Sequence, residues 1–232
     1  MPPESAPSWQ GNAQLLPIFP LHTVLFPGGL LPLRIFEARY MDMVRVCMRE
    51  ARDFGVCLIR KGREVGKHDT EPETIGCRAR ISAWDMEQLG LLQIATVGVE
   101  RFRITRLSGE ADGLLVAVTE PLDEEAALSV PAEFEACTTL LERIIVQIER
   151  DAAREHAKDG ARAEVVGAAG GASETRHPIA APYRFDDASW VGNRLCELLP
   201  ISLAAKQKLM ELTDAPTRLA IVHQYLKQQK II

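Results

Sequence analysis

Residues 26–40, "FPGGLLPLRIFEARY", set two prolines and two glycines among large apolar side chains. The flanks widen the question, because no Asp, Glu, Lys or Arg occurs from Ser5 to Leu33. Such a run suits a membrane span, a secretory signal or the centre of a folded core. A spanning helix must satisfy its own backbone, and Pro17, Pro20, Pro27 and Pro32 with Gly28 and Gly29 would interrupt its hydrogen bonds repeatedly. The opening "MPPESAPSWQGNAQ" has neither a basic n-region nor a continuous apolar h-region. The run therefore reads as short strands and turns buried in a soluble domain, with the cytoplasm as the expected location.

Composition points the same way. The chain has 232 residues, 47% hydrophobic and 25% charged, enough for a substantial core. A net charge of −5 creates no field that draws nucleic acid or an anionic membrane. The five cysteines, at 47, 57, 77, 137 and 196, are odd in number and form no CxxC. That disfavours a zinc site or a disulfide framework and fits buried, reduced thiols.

Along the chain, "QLLPIF", "TVLF" and "LLPLRI" read as strands, with "FPGG" as a turn and Pro32 marking an edge or bulge. From Phe36 to Ala51 the period is helical, with Phe36, Tyr40, Met43, Val44, Cys47 and Ala51 on one stripe. "FGVCLIR", "TIGCRARISAW", "LLQIATVGVERFRITRL" and "LLVAVTEPL" follow as strands. The three-residue spacing of Val99 and Phe102 predicts a bulge near Glu100 and Arg101. After Pro131 the period is helical to about Arg154. Residues 158–181 are small, polar and glycine-rich, and read as a flexible loop. Helices then begin at Asp186 or Asp187, at Ser202 and near Asp214. The fold class is α+β: a flexible N-terminus (1–12), a curled sheet or pseudo-barrel with one interposed helix (13–122), and a helical bundle (131–232).

Several motifs suggest chemistry and fall short of it. "GREVGKH" (62–68) has three residues between its glycines where a phosphate loop needs four, and His68 stands where the hydroxyl should be. Ser202 and Lys206 are four apart, whereas serine–lysine hydrolases of the penicillin-binding type use three and further motifs. The five histidines lack metal-ligand spacing. No catalytic, metal or cofactor residue is expected. Arg78, Arg80, Arg101 and Arg103 lie on the outward phase of two adjacent strands and give an alternative reading, a basic stripe for nucleic acid. The stripe lacks interleaved aromatics and has acidic neighbours. The turn "DMEQLGLLQ" after "ISAW" is unusually apolar for a hairpin tip. Trp84, Met86 and Leu89 are the candidate peptide-binding patch, if they are not packed beneath a neighbouring loop.

Together "LPIFPLHTVLFPGGLLPLRIFEARYMDMV" (16–44), "FGVCLIRKGREVG" (54–66), "TIGCRARI" (74–81), "VGVERFRI" (97–104) and "LLPISLAAKQKLMELTDAPTRL" (198–219) resemble the amino-terminal substrate-binding domain of Lon proteases. The resemblance covers about Leu15 to Leu226 apart from 158–181. It implies a PUA-like curled sheet followed by helices, and recognition of unfolded or apolar protein segments without any catalytic residue. The Walker motif of full Lon enzymes is missing, so a stand-alone protein of this kind is expected, with a separate protease partner left open. RNA binding, known for PUA-like sheets elsewhere, is the alternative at the level of fold alone.

Overall fold

The computed structural model describes residues 9–12, 15–64, 70–88, 90–122, 128–163, 179 and 181–232, without the side chains of 87–88 and 155–163. The chain divides into two compact units, one of residues 1–126 and 196–214, the other of 127–195 and 215–232.

The first unit is built on strands β1 (Leu15–Leu21), β2 (Leu30–Ile35), β3 (Phe54–Lys61), β4 (Glu71–Pro72), β5 (Ile75–Gln88), β6 (Leu91–Gly109) and β7 (Leu115–Pro121). Strands run in the order β1–β7–β6–β5–β3, and β3 pairs back to β1 in parallel, closing a barrel. At 19 residues, β6 is long enough to serve two neighbours on one side. Its first half pairs with β2 and its second half with β7. Beyond Ala79, where the pairing with β3 ends, β5 continues with β6 alone. The result is a three-stranded arm, β2–β6–β5, extending from the barrel. Helix α1 (Ala38–Glu50) buries Tyr40, Met43, Val44, Val46 and Cys47 in the larger core, together with Phe54, Val56, Ile35 and Ile94.

The "FPGG" turn shows why this stretch needs its glycines. Gly28 has φ +74°, a conformation that a side chain makes costly. Its N–H donates to Gly98 O at 2.7 Å, and Gly98 N–H donates back to Gly29 O at 2.8 Å. A Cβ on Gly98 would lie 2.2 Å from Phe26 O. This direct docking on β6 holds "TVLF" outside the ladder, so it forms no strand although Val24, Leu25 and Phe26 are buried.

Two further segments belong to this unit against expectation. Trp9 is 1% exposed and packs in the barrel core. The Arg52 guanidinium donates to Trp9 O at 2.8 Å, Asn12 O at 2.9 Å and Leu15 O at 2.6 Å, and lies 5.5 Å from the Trp9 ring. Residues 9–12 are therefore an anchored strap and no part of a flexible N-terminus. Helix α2 (Glu135–Ala163), α3 (Ala188–Leu198), α4 (Leu203–Glu211) and α5 (Ala215–Gln228) follow. Of these, α4 groups with the barrel. Gln207 Nε2 donates to Ile75 O at 3.0 Å, and Arg101 donates to the carbonyls of Met210, at 3.0 Å, and Leu212. A helical period cannot tell which core a helix will join, so the division at 131–232 placed α4 with the other helices.

The second unit holds a 3₁₀ turn (Ala132–Phe134), α2, α5 and most of α3. Phe134, Cys137, Leu141 and Ile145 are buried, as are Val191, Leu195, Leu219, Val222 and Leu226. Helix α3 starts where Asp187 Oδ1 accepts the N–H groups of Ser189 and Trp190, at 2.9 and 3.2 Å. Helix α2 continues to Ala163, so 158–163 is helical where the composition suggested a loop. The rest of that expected loop, 164–178 and 180, lies outside the described residues, while Ile179 is buried and 181–182 are not in regular structure.

Candidate binding surface on the barrel arm

The candidate patch stands at the far end of β5. Trp84 is 60% and Met86 42% exposed, although they are two positions apart on a paired strand. Neither packs beneath a loop among the described residues. Leu89 lies outside the described residues. Leu92, across the hairpin, is buried at 3%. Register places Trp84 opposite Ile94 and Ile94 opposite Leu33, so the three form one row across β5, β6 and β2. Strand spacing sets the outer two about 10 Å apart. Ile94 belongs to the core that α1 helps to seal, while Trp84 at the end of the row is open.

Leu33 also lines a groove of about 200 Å³ with Phe19, Leu21, Ile35, Phe36 and Tyr40. Phe36 is 58% exposed, a departure from the helical stripe on which it was expected. Helix α1 starts only at Ala38 after the N-cap Glu37, so helical phase does not reach Phe36, and Ala51 leaves the stripe at the other end with φ 50°. Phe19 and Tyr40 stack at 4.0 Å, and the Arg39 guanidinium lies 4.6 Å from the Tyr40 ring. Arg39 pairs with Glu37 at 3.0 Å and donates to Gly113 O at 2.9 Å. Burial pushes the Tyr40 phenol up to about 12 against the pull of Arg39, with Glu37, Glu64 and Asp112 adding to the rise. Tyr40 is thus a neutral wall of the groove at ordinary pH. The residue that periodicity missed is Phe36, and its place before a Glu N-cap was the available signal.

The arginine stripe does not form. The bulge expected near Glu100 lies between the Cys77–Arg101 and Ala79–Gly98 pairs, with one residue on β5 facing two on β6. It aligns Arg101 with buried Cys77, and Arg101 is 5% exposed with its guanidinium bound to the α4 carbonyls. Arg78 forms an ion pair with Glu100 at 3.1 Å and donates to Thr119 Oγ1 at 3.1 Å. Arg80 makes a two-pronged pair with Asp53 at 3.0 and 3.1 Å. Arg103 is exposed.

Other polar features are structurally engaged. A cavity of about 570 Å³ is lined by Gly11, Leu16, Glu50, Arg52, Asp53 and Arg78. Arg52 there holds the strap, Asp53 holds Arg80, and Glu50 accepts Gly11 N–H at 3.4 Å and pairs with Arg49 and Arg52. Ser202 Oγ caps α4 by accepting Ala205 N–H at 3.2 Å, and Lys206 Nζ donates to Glu197 O at 2.7 Å. The pair is thus used for capping and packing. Most of "GREVGKH" lies outside the described residues. Among the described residues there is no group of three or more His, Cys, Asp or Glu placed to hold a metal, and no helix long and apolar enough to cross a membrane.

Comparison with known proteins gives this surface its context. The family model for the ATP-dependent protease La (LON) substrate-binding domain matches residues 15–228. The crystal structure of a Lon N-terminal domain protein from Xanthomonas campestris is similar at TM-score 0.67 and 30% identity, covering 91% of this chain and 98% of that one. The N-terminal domain of a Mycobacterium avium complex Lon protease shares the fold at TM-score 0.56 and 15% identity, covering 92% and 98%. Lon protease 2 of Myxococcus xanthus is 30% identical over 121 residues, 52% of this chain and 15% of that protein. Protein cereblon of Gallus gallus is 28% identical over 117 residues, 49% of this chain and 25% of that protein. The matched part is thus a quarter or less of these two relatives.

Proposed function

The chain belongs to the family of ATP-dependent protease La (LON) substrate-binding domains, and from that premise we propose that it is a non-enzymatic module that binds unfolded or apolar protein segments at the exposed end of the β2–β6–β5 arm. The carrying observation is the exposure of Trp84 at 60% and Met86 at 42% on a paired strand. Isolated apolar residues on a surface are ordinary, but here an exposed aromatic and an exposed flexible thioether lie two residues apart on one strand. That pairing accepts varied apolar side chains, because Met adapts its shape and Trp offers a broad face. Phe36 and its groove are a second exposed apolar feature, separated from Trp84 in the row by buried Ile94.

Binding without turnover also suits the engaged state of Ser202 and Lys206. A separate protease acting on the bound segment is a compatible partner. The nucleic-acid reading has no comparable support, given the buried Arg101 and the net charge of −5. The test is a Trp84→Ala, Met86→Asp double variant, assayed for melting temperature and for affinity toward a carboxymethylated, permanently unfolded reporter. Affinity should fall by at least about tenfold, as for lost central apolar contacts, with the melting temperature unchanged. Unchanged affinity with intact folding would refute the site.

A further inference from the structure

The chain keeps its sulfur atoms in two settings. All five cysteines are free and buried. Burial pushes the Cys47 thiol up to about 12 and the Cys137 thiol up to about 11, and drives Cys57 upward as well. Thiolate, the form that oxidants attack, is therefore scarce at these positions near neutral pH. Among the described methionines, Met43 and Met210 are 0% and 2% exposed, and Met41 and Met48 pack half-buried against the barrel core. Met86 differs. It is exposed, lies on the arm, and stands two residues from the open Trp84. The most exposed methionine among the described residues thus sits within the surface proposed for apolar segments.

We propose that Met86 is a modification site at which a peroxide switches the binding surface off, an inference that rests on the arm being that surface. The thioether sulfur attacks one oxygen of hydrogen peroxide. An S–O bond forms as the O–O bond breaks, and the departing hydroxide takes the proton of the sulfur-bound hydroxyl, leaving the sulfoxide and water. Sulfur loses two electrons and the peroxide gains them. The sulfoxide puts a strong hydrogen-bond acceptor where a soft apolar group stood, so an apolar segment that covers it must strip off its water. Met86 stands outside the buried core clusters, so the change acts mainly on binding. A methionine sulfoxide reductase restores the thioether.

The full chain is treated with graded hydrogen peroxide, each methionine is followed by peptide mass mapping, and affinity for the carboxymethylated reporter is measured alongside melting temperature. Met86 is expected to oxidise before Met41, Met43, Met48 and Met210. Affinity should then fall by at least about fivefold, as expected when a polar group replaces apolar contact area, with no change in melting temperature. A Met86→Leu variant, compared with itself before and after peroxide, should keep its own affinity. The inference is overturned by earlier oxidation of another of these methionines, by undiminished affinity of the oxidised protein, or by an equal loss in Met86→Leu. Failure of the untreated protein to bind would instead remove the arm as a binding surface and the switch with it, a result distinct from the mass map.

Discussion

Arg101 shows how one residue's role follows from a partner distant in sequence. The bulge at Val99 and Glu100 precedes both Arg101 and Arg103, which share one phase opposite Cys77 and Ile75, so what separates them is the bond of Arg101 to α4. Its guanidinium there satisfies carbonyls at the end of α4, where water cannot easily reach. Arg101→Ala should lower stability by about 2–4 kcal/mol, because it removes charged donors and leaves carbonyls unpaired. Arg103→Ala, two residues on and exposed, should change stability by less than about 0.5 kcal/mol. Urea unfolding of both variants checks the contrast, and equal effects would contradict it. The Val99–Phe102 spacing made the bulge legible. The burial of Arg101 was not, because the partner carbonyls lie more than a hundred residues away.

At the scale of elements, periodicity identified α1 and the long strands, since one face of each is buried and the other is not. It failed where an element is fixed by a single tertiary anchor. Trp9 stands in a polar segment without a period, and its place in the core depends on Arg52, 43 residues on. Trp9→Ala should cost about 3–5 kcal/mol, as for other large buried aromatics, and should raise protease sensitivity throughout the barrel. Thermal melts of Trp9→Ala and of a chain lacking residues 1–8 separate the strap from the residues before it. The truncated chain should melt with the intact protein, and a similar loss in both would show that the strap does not act alone. The arm was half legible: an apolar hairpin tip pointed to Trp84 and Met86, while Phe36 was hidden by a helical period extended two residues too far.

For the whole molecule, burial of ionisable groups sets a stability window. Folding raises the Cys47 thiol and the Tyr40 phenol to about 12, and the Cys137 thiol to about 11. The unfolded chain releases the same protons near their ordinary values, about 8.5 for a thiol and about 10 for a phenol. The folded state therefore holds more protons on the alkaline side. Its contribution from these groups is complete below about pH 8.5 and is lost as the pH climbs toward 12. Urea midpoints should be flat from pH 7 to 8 and fall steadily above pH 9, and a midpoint that rises there would contradict the burial of these groups.

The central claim is that the open end of the arm is where an unfolded segment binds, and the three tryptophans allow it to be read directly. Trp9 and Trp190 are buried at 1% and 4% exposure, whereas Trp84 is 60% exposed. Indole N–H signals of ¹⁵N-labelled protein, titrated with the carboxymethylated reporter, report on the three sites separately. The account predicts a saturable shift of the Trp84 signal, accompanied by the Met86 methyl, while Trp9 and Trp190 stay in place. Saturable binding that leaves Trp84 unmoved would contradict it.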